Sequence, residues 1–399
     1  MPHTLNQSAW LEAALLVGFC IFLTRKYLPT AVAVLVVLIR FAIPIAYFQY
    51  YFRGAWIGID ANTYANGGAK LLTSGYNVFT VLFTASGFRF AQVVAGDRIK
   101  IGPFLWNLLW FSLFGIRICV PVLANVAATL VAGFFLYRIV ILCGGRPFYA
   151  KVMAAAMLLH PMMICYSSFA DLKDSLVLCL LLMMLYYLLL LARRFSLRSI
   201  LWLAVISLVL TSVRYYAALP VVVAFGLWLT ISEQKLQKIW LVPVAVVGAA
   251  AVARLIHLSA RSSEVLRDLQ PQQILYGIGH FLLTPRPWEL GRNVGFLYPA
   301  MVLHWIGLPF AVLGAVALWR SSRTARLLLV YAVELTILYA LSANALGQYR
   351  ERYQFYFVFV WAQAHGVWLL WRLLRKLPLR GRPKVSPAAT HAIADQVAL

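Results

Sequence analysis

An all-α fold that crosses a membrane many times is what this sequence predicts, and three observations carry the prediction. Apolar runs long enough to cross a bilayer, about 20 residues each, recur along the whole chain. Of 399 residues, 63% are hydrophobic and 12% charged, where a soluble protein averages about 25% charged. Basic residues gather in alternate short connections between the apolar runs, the bias that orients helices in a membrane. About 11 spans result, in a range of about 9 to 13, at about 20 apolar residues each. They form one membrane domain over residues 1–372, with a basic tail at 373–399 that reads as disordered or peripheral.

The first span runs from about Trp10 to Thr24 and is followed by Arg25 and Lys26. The amino end has no basic n-region and a second span follows at once, so it is expected to stay as an anchor. Span two, Leu28 to Phe48, contains Arg40. A charge at mid-membrane costs roughly 2.5 to 3.5 kcal/mol on insertion scales, so Arg40 either snorkels or faces a polar interior. Residues 49–100 form a long polar loop. Within it, Asn62 to Thr73 is expected to lie as a helix along the membrane surface, with Tyr64, Leu71 and Leu72 on one face. Gly67 and Gly68 weaken that helix and Gly75 ends it. Ile101 to Phe114 is apolar but short, a re-entrant or interfacial segment as readily as a span.

Span three covers Ile118 to Val140, and span four covers Val152 to Phe169 with a kink at His160-Pro161. The cluster Asp171-Leu172-Lys173-Asp174 precedes span five, Ser175 to Leu191. Residues 199–230 hold two short spans broken near Arg214-Tyr215-Tyr216, and another span covers Ile239 to Leu255. A second long polar loop, 257–297, contains a short helix at Ser259 to Leu269, which Pro271 ends or redirects, and the turn-rich TPRPWELGRN. Three spans close the chain: Tyr298 to Trp319, Leu327 to Leu341 and Tyr353 to Trp371.

The connections at 25–26, 138–151, 193–198, 235–238 and 320–326, with the tail, hold more than half of all Lys and Arg. They belong on the cytoplasmic side, with the amino end and both long loops outside and the carboxyl end inside. Much of the net charge of +23 is therefore topological, and no nucleic-acid partner is expected. The remainder lies in the two long loops and suits an anionic lipid or phosphate. Five cysteines form no CxxC pair, so no metal or redox centre is read from them. HExxH, GxSxG and Walker A motifs are absent, which excludes an ATP-driven pump.

The polar landmarks fall on the outer side. Asp60 is either a helix-start carboxylate that accepts backbone N–H bonds or a general base toward an acceptor hydroxyl. Asp171 and Asp174, three apart, either cap and flank span five or form a second acidic element with Tyr64 near an acceptor. With Asp60, either of them offers oxygen ligands to a divalent cation. Arg214 and the cluster Arg350, Arg352 and Tyr353 suit a lipid phosphate, because guanidinium donors match phosphate oxygens; interface anchoring is the other reading. Arg286 and Arg292 join them as phosphate candidates. Trp288 stacks on a sugar or anchors its loop. His160 reads as a packing or hydrogen-bonding group.

The spacing Asp60-x-x-x-Tyr64, the following Ala69-x-x-Leu72, Phe114-Gly115 and the late ERYQFYFVFV resemble the GT-C superfamily of polyprenyl-phosphate-sugar-dependent glycosyltransferases, including the ArnT-like and protein O-mannosyltransferase groups. The resemblance covers about residues 28–372. Where the family often carries Asp-Glu, this chain has Asp60-Ala61, and Phe355 and Phe357 occupy the region of two late prolines. Ser167-Ser168, Lys173-Asp174-Ser175 and Pro285-Arg286-Pro287-Trp288 also look like segments of membrane proteins from bacterial surface-glycan loci. The resemblance implies an inverting enzyme of the bacterial cytoplasmic membrane, with its site facing outward. It would transfer a sugar from a polyprenyl-phosphate carrier to a hydroxyl on a glycan, lipid or protein, and Asp60 would take the proton. A polymerase of lipid-linked repeats, a lipid-linked glycan flippase and a scaffold protein are the competing readings.

Overall fold

The computed structural model describes residues 4–52, 59–97, 99–214, 217–231, 271–341 and 348–376. Every regular element among them is helical. Helix α1 (Gln7–Thr24) starts where the Asn6 side chain accepts the Ala9 N–H at 3.1 Å, the usual way a helix start satisfies an orphan donor. Helix α2 (Thr30–Ala46) runs on through a π turn to Tyr51. Three helices of the first polar stretch follow: α3 (Ile59–Thr73), α4 (Val78–Phe83) and α5 (Ala85–Ala95). Then come α6 (Gly102–Phe114), α7 (Cys119–Leu142), α8 (Pro147–Leu159), α9 (Pro161–Ser168), α10 (Asp174–Arg193), α11 (Leu197–Val213) and α12 (Ala218–Ile231). Past the next described boundary lie α13 (Pro271–Leu283), α14 (Tyr298–Ser321), α15 (Arg323–Leu341) and α16 (Tyr356–Lys376).

Six of these helices are long and apolar enough to cross a membrane, and the bent pair α8–α9 makes a seventh. The protein is a polytopic α-helical membrane protein. Two shorter apolar helices, Leu197–Val213 and Ala218–Leu229, lie where two short spans broken at Arg214 were expected. The expected span Ile239 to Leu255, the helix Ser259 to Leu269 and the tail beyond Lys376 lie outside the described residues. Pro271 begins α13, where its missing N–H costs nothing.

Helix α7 is the hub, with most of its surface buried, and it packs against α1, α2, α8 and α10. The outer faces of α1 and α2 expose Trp10, Leu15, Phe19 and Leu35, a surface suited to lipid. Arg40 does not snorkel. It is fully buried and its Nη2 donates to Ser167 Oγ at 2.7 Å. Helices α14 and α16 meet at glycines: a Cβ on Gly314 would stand 1.9 Å from the Ala362 carbonyl, and one on Gly366 2.1 Å from that of Phe310. Small residues allow this close backbone approach, and packing of that kind replaces the hydrophobic effect as the adhesive between helices in lipid. The break between α8 and α9 bends the pair by 48°. His160 Nδ1 accepts the Met162 N–H at 3.1 Å, and Pro161 supplies the first residue of α9.

Before α16, Gln348–Gln354 forms a 3-10 helix. Tyr353, the expected start of the last span, therefore lies in that 3-10 helix, and the last long helix begins three residues later, at Tyr356. Helix α3 lies against α6 through Tyr64 and Leu71, which share a small core with Phe104 and Leu108. The glycines expected to weaken α3 have a second role there. A Cβ on Gly67 would meet the Phe104 ring at 2.2 Å, and one on Gly68 would meet Asn107 Cβ at 2.7 Å. Bare glycine lets α3 sit directly on α6, and Gly75, at φ +82°, turns the chain out of the helix.

Candidate functional site

Four segments bring charge to one place. Helices α10 and α11 are antiparallel neighbours, so the start of α10, with Asp174, and the end of α11, with Arg214, share one end of the bundle. The first turn of α3 adds Asp60. The 3-10 helix before α16 adds Arg350 and Glu351.

Arg350 joins the two aspartates. Its Nη1 donates to Asp60 Oδ2 at 2.9 Å and its Nε to Asp174 Oδ2 at 2.6 Å. Arg214 Nη2 stands 3.2 Å from Asp174 Oδ1. The same guanidinium grips Glu351, with Nη1 on Oε2 and Nη2 3.3 Å from Oε1. Gln354 Nε2 donates to Glu351 Oε2 at 2.8 Å and lies 2.7 Å from the Tyr339 hydroxyl of α15. Acid and base alternate from Asp60 to Glu351. Asp174 is fully buried, whereas the Asp60 side chain is 46% exposed, so the network runs from an accessible rim into the protein. A buried carboxylate is tolerable only when paired and hydrogen-bonded; here Arg350 hydrogen-bonds Asp174 Oδ2 and Arg214 adds an ion pair at Oδ1.

The environment sets the proton affinities. Burial pushes the Asp60 carboxyl up, but the charges of Arg350, Lys173 and Lys100, with the Arg350 hydrogen bond, outweigh it and hold the group below the usual carboxylate range. Burial would lower Arg350, yet the Asp174 charge leaves it above its ordinary value. Tyr64 packs its ring edge-on against Phe104, 5.5 Å between centroids, and among the described residues its buried hydroxyl has no hydrogen-bond partner. Burial, then the Asp60 charge, pushes that phenol up, so it stays protonated.

Asp171 stands apart from the ion network. Its Oδ2 accepts from Asn107 Nδ2 and its Oδ1 from Asn125 Nδ2 at 3.3 Å. Asn125 also donates to the Leu172 carbonyl at 3.2 Å and accepts from Trp106 Nε1 at 3.1 Å. The carboxyl thus ties α6 and α7 to the segment leading into α10. Burial pushes it up to about 7, against the pull of the two amide donors.

Arg352 and Tyr353 are fully buried. Arg352 Nη1 donates to the Leu282 carbonyl at 2.8 Å and lies 3.1 Å from His304 Nε2, while Nη2 donates to the Thr284 carbonyl. The Tyr353 hydroxyl lies 3.4 Å from Ser175 Oγ and 3.5 Å from Thr129 Oγ1. Arg286 is half exposed and pairs with Glu289 at 3.4 Å. Trp288 is exposed, with its ring 5.8 Å from that of Trp305. Arg292 begins a short 3-10 helix, and its side chain lies outside the described residues.

The structure therefore brings together Asp60, Asp174, Arg214 and Arg350, with Tyr64 alongside. It separates them from the Asp171 clamp and from the buried Arg352 and Tyr353. Sequence reasoning assigned no role to Glu351, Gln354, Asn107 or Asn125, and it placed Lys173 only as a neighbour of the two aspartates. A signal existed for Glu351, an acid between two arginines in RER; the asparagines lie inside apolar helices and carry none. The guanidinium of Arg350 bridges Asp60 and Asp174, the pair considered for a shared cation. Among the described residues no group of three or more His, Cys, Asp or Glu side chains gathers in a way that could hold a metal. No family model, curated protein or solved structure matches this chain.

Proposed function

We propose that this protein is a GT-C-like glycosyltransferase of the bacterial cytoplasmic membrane. In this reading it has about 11 spans of about 20 residues each, an outward site and a cytoplasmic carboxyl end. The donor is a sugar on a polyprenyl phosphate, and the acceptor is a hydroxyl of a glycan, lipid or protein. The observation that carries the proposal is the half-exposed Asp60 beside Arg350, which also holds the buried Asp174. A carboxylate next to guanidinium groups is what such a transfer requires. One group accepts a proton and the others offset charge on phosphate.

An apolar groove supports the same reading. A cavity of about 800 Å³ lies between α12, α14 and α15, bordered by Val223, Leu227, Val316 and Val333. It reaches Leu338, next to the Tyr339 that supports Gln354 and Glu351. In this reading the isoprenoid chain would lie in that groove, with its phosphate directed toward the arginines of the network.

In the reaction, the acceptor oxygen attacks the anomeric carbon from the face opposite the phosphate, and the configuration inverts. The bond from carbon to phosphate oxygen breaks with its electron pair going to the phosphate. The hydroxyl proton passes to Asp60. Since Arg350 keeps Asp60 weakly basic, the proton moves late, once bond formation has made the hydroxyl acidic. A flippase would place its polar residues near mid-membrane, whereas this network sits at helix ends.

The test is transfer of labelled sugar from polyprenyl-phosphate sugars to candidate acceptors by protein in lipid nanodiscs. Asp60→Asn is expected to lower the rate by about 10²- to 10⁴-fold, the usual contribution of a positioned base. Undiminished transfer by that variant removes Asp60 from the reaction, and no transfer from any such donor removes the reading.

A further inference from the structure

Arg40 is the exception among the buried arginines. Arg214 meets two carboxylates, and Arg352 meets two carbonyls. Arg40 is fully buried inside α2, and its Nη2 donates to Ser167 Oγ at 2.7 Å. Its Nε and Nη1 have no hydrogen-bond partner among the described residues. Nor does any described carboxylate pair with it. Asp60, Asp174 and Glu351 are held by Arg350 and Arg214, Glu289 by Arg286, and Asp171 by asparagine amides. Asp97 accepts the backbone N–H groups of Ile99 and Lys100. Neither Glu12 nor Glu334 is among the groups that face Arg40.

The surroundings are polar but supply no full negative charge. Ser167 and Ser168 come from α9, with their hydroxyl oxygens 3.4 Å apart. Cys165 comes from the same helix, Cys20 from α1 and Tyr353 from the 3-10 helix before α16. All five are buried. A guanidinium keeps its proton in proteins, so a whole positive charge resides there. The Ser167 hydroxyl donates its own hydrogen to the Met163 carbonyl at 2.8 Å and offers Arg40 one acceptor. Ser167 lies in the last turn of α9, the negative end of that helix. Such an end carries roughly half an elementary charge, too little to balance the guanidinium, and it leaves two donor groups unbonded. Water bonds to donors but does not cancel charge. Buried charges are paired in proteins, and charges within membrane spans pair in the same way.

We propose that Arg40 holds a small monovalent anion, chloride being the physiological one, where α1, α2 and α9 meet. Nε and Nη1 donate to it, and one negative charge cancels one positive charge. A doubly charged oxyanion would reverse the imbalance rather than remove it, and full burial of the side chain excludes a bulky organic anion. The site is separate from the network around Asp60. Tyr353 links the two, because its hydroxyl lies 3.4 Å from Ser175 Oγ, next to Asp174. The bound ion fixes α2 against α9, and the inference stands without the sugar-transfer reading.

The test is thermal unfolding of the full protein in detergent at constant ionic strength, in chloride, bromide or gluconate. Chloride and bromide are expected to raise the unfolding temperature by a few degrees over gluconate, in a saturable way, because a ligand of the folded state stabilises it by mass action. Arg40→Met removes the charge, leaves no opposite charge uncompensated, and should lose that dependence. Crystals grown in bromide give a second readout that needs no variant: anomalous scattering is expected to place a bromide in contact with Nε or Nη1 of Arg40. Equal unfolding temperatures of wild type in all three anions would overturn the inference, as would a halide effect that survives in Arg40→Met. Arg40 with water beside it and no anomalous signal would overturn it too.

Discussion

Arg350 and Arg352 sit on one short 3-10 helix and meet opposite surroundings. That helix has about three residues per turn, so side chains two apart point to different sides. Arg350 reaches two carboxylates, one of them half exposed. Arg352 is wholly buried and spends its donors on the carbonyls of Leu282 and Thr284, at the end of α13. Carboxylate partners leave an arginine in an accessible network whose charges a ligand can rebalance. Carbonyl partners make an arginine into a structural tie. The contrast separates a site from a clamp, and the same division holds between Asp174, which meets guanidinia, and Asp171, which meets asparagine amides.

The comparison is broken most directly at Arg350. Arg350→Met leaves the buried Asp174 with only Arg214, and losing a partner from a buried pair costs about 3 to 5 kcal/mol. Unfolding in detergent should show a loss of that size, and transfer should fall to background. Arg350→Lys keeps the charge but not the fork that spans two carboxylates, so an intermediate loss is expected in both assays. A stable and active Arg350→Met would mean that the network is ornamental.

Arg352→Met should behave differently. The Leu282 carbonyl keeps the His304 Nε2 donor, but the Thr284 carbonyl loses the one from Arg352, which destabilises by about 1 to 3 kcal/mol. The folded fraction should nevertheless keep its KM for the donor. A tenfold rise in KM at unchanged kcat would move Arg352 into the site and erase the distinction.

Much of this division was hidden in the sequence. Helices α7, α10 and α14 follow from apolar length, the bend at Pro161 from proline chemistry, and the break at Arg214 from a charge in an apolar run. Asp60 was legible as a carboxylate at a helix start. Its pairing with Arg350, 290 residues away, was not, because periodicity reports only the face a residue occupies on its own helix. Asp171 and Asp174 are equivalent by spacing; only the packing of Asn107 and Asn125 from α6 and α7 tells them apart. Gly67 and Gly68 read as weak points in α3 because their function depends on Phe104 and Asn107 in another helix.

Smaller effects sharpen the same contrast. Gly68→Ala sets a methyl against Asn107 Cβ, so α3 must shift, and a displacement of about 1 Å can cost about 10²-fold in rate. The expected result is reduced transfer with near-normal unfolding. The Asp171 clamp gives the mildest signal, in pH dependence. Its carboxyl is pushed up from 3.8 to about 7 in the fold, so the folded protein holds that proton more tightly than the unfolded chain. Its stabilising effect is complete below the ordinary carboxylate value and lost as pH rises toward about 7. Asp171→Asn should flatten this slope in thermal unfolding followed between acidic and neutral pH. Asp60, held below the usual range, has the opposite sign: its pairing is present at neutral pH and lost only as acid titrates it below that range.

The most direct measurement is a double-mutant cycle between Asp60 and Arg350, read as transition-state free energy from kcat/KM for sugar transfer. The variants are Asp60→Asn, Arg350→Lys and the double substitution. Residues that act as one unit should couple by at least about 1 kcal/mol, whereas independent residues add to within about 0.5 kcal/mol. Coupling of that size is the predicted result. Strict additivity would contradict the claim that the two ends of the chain build a single site.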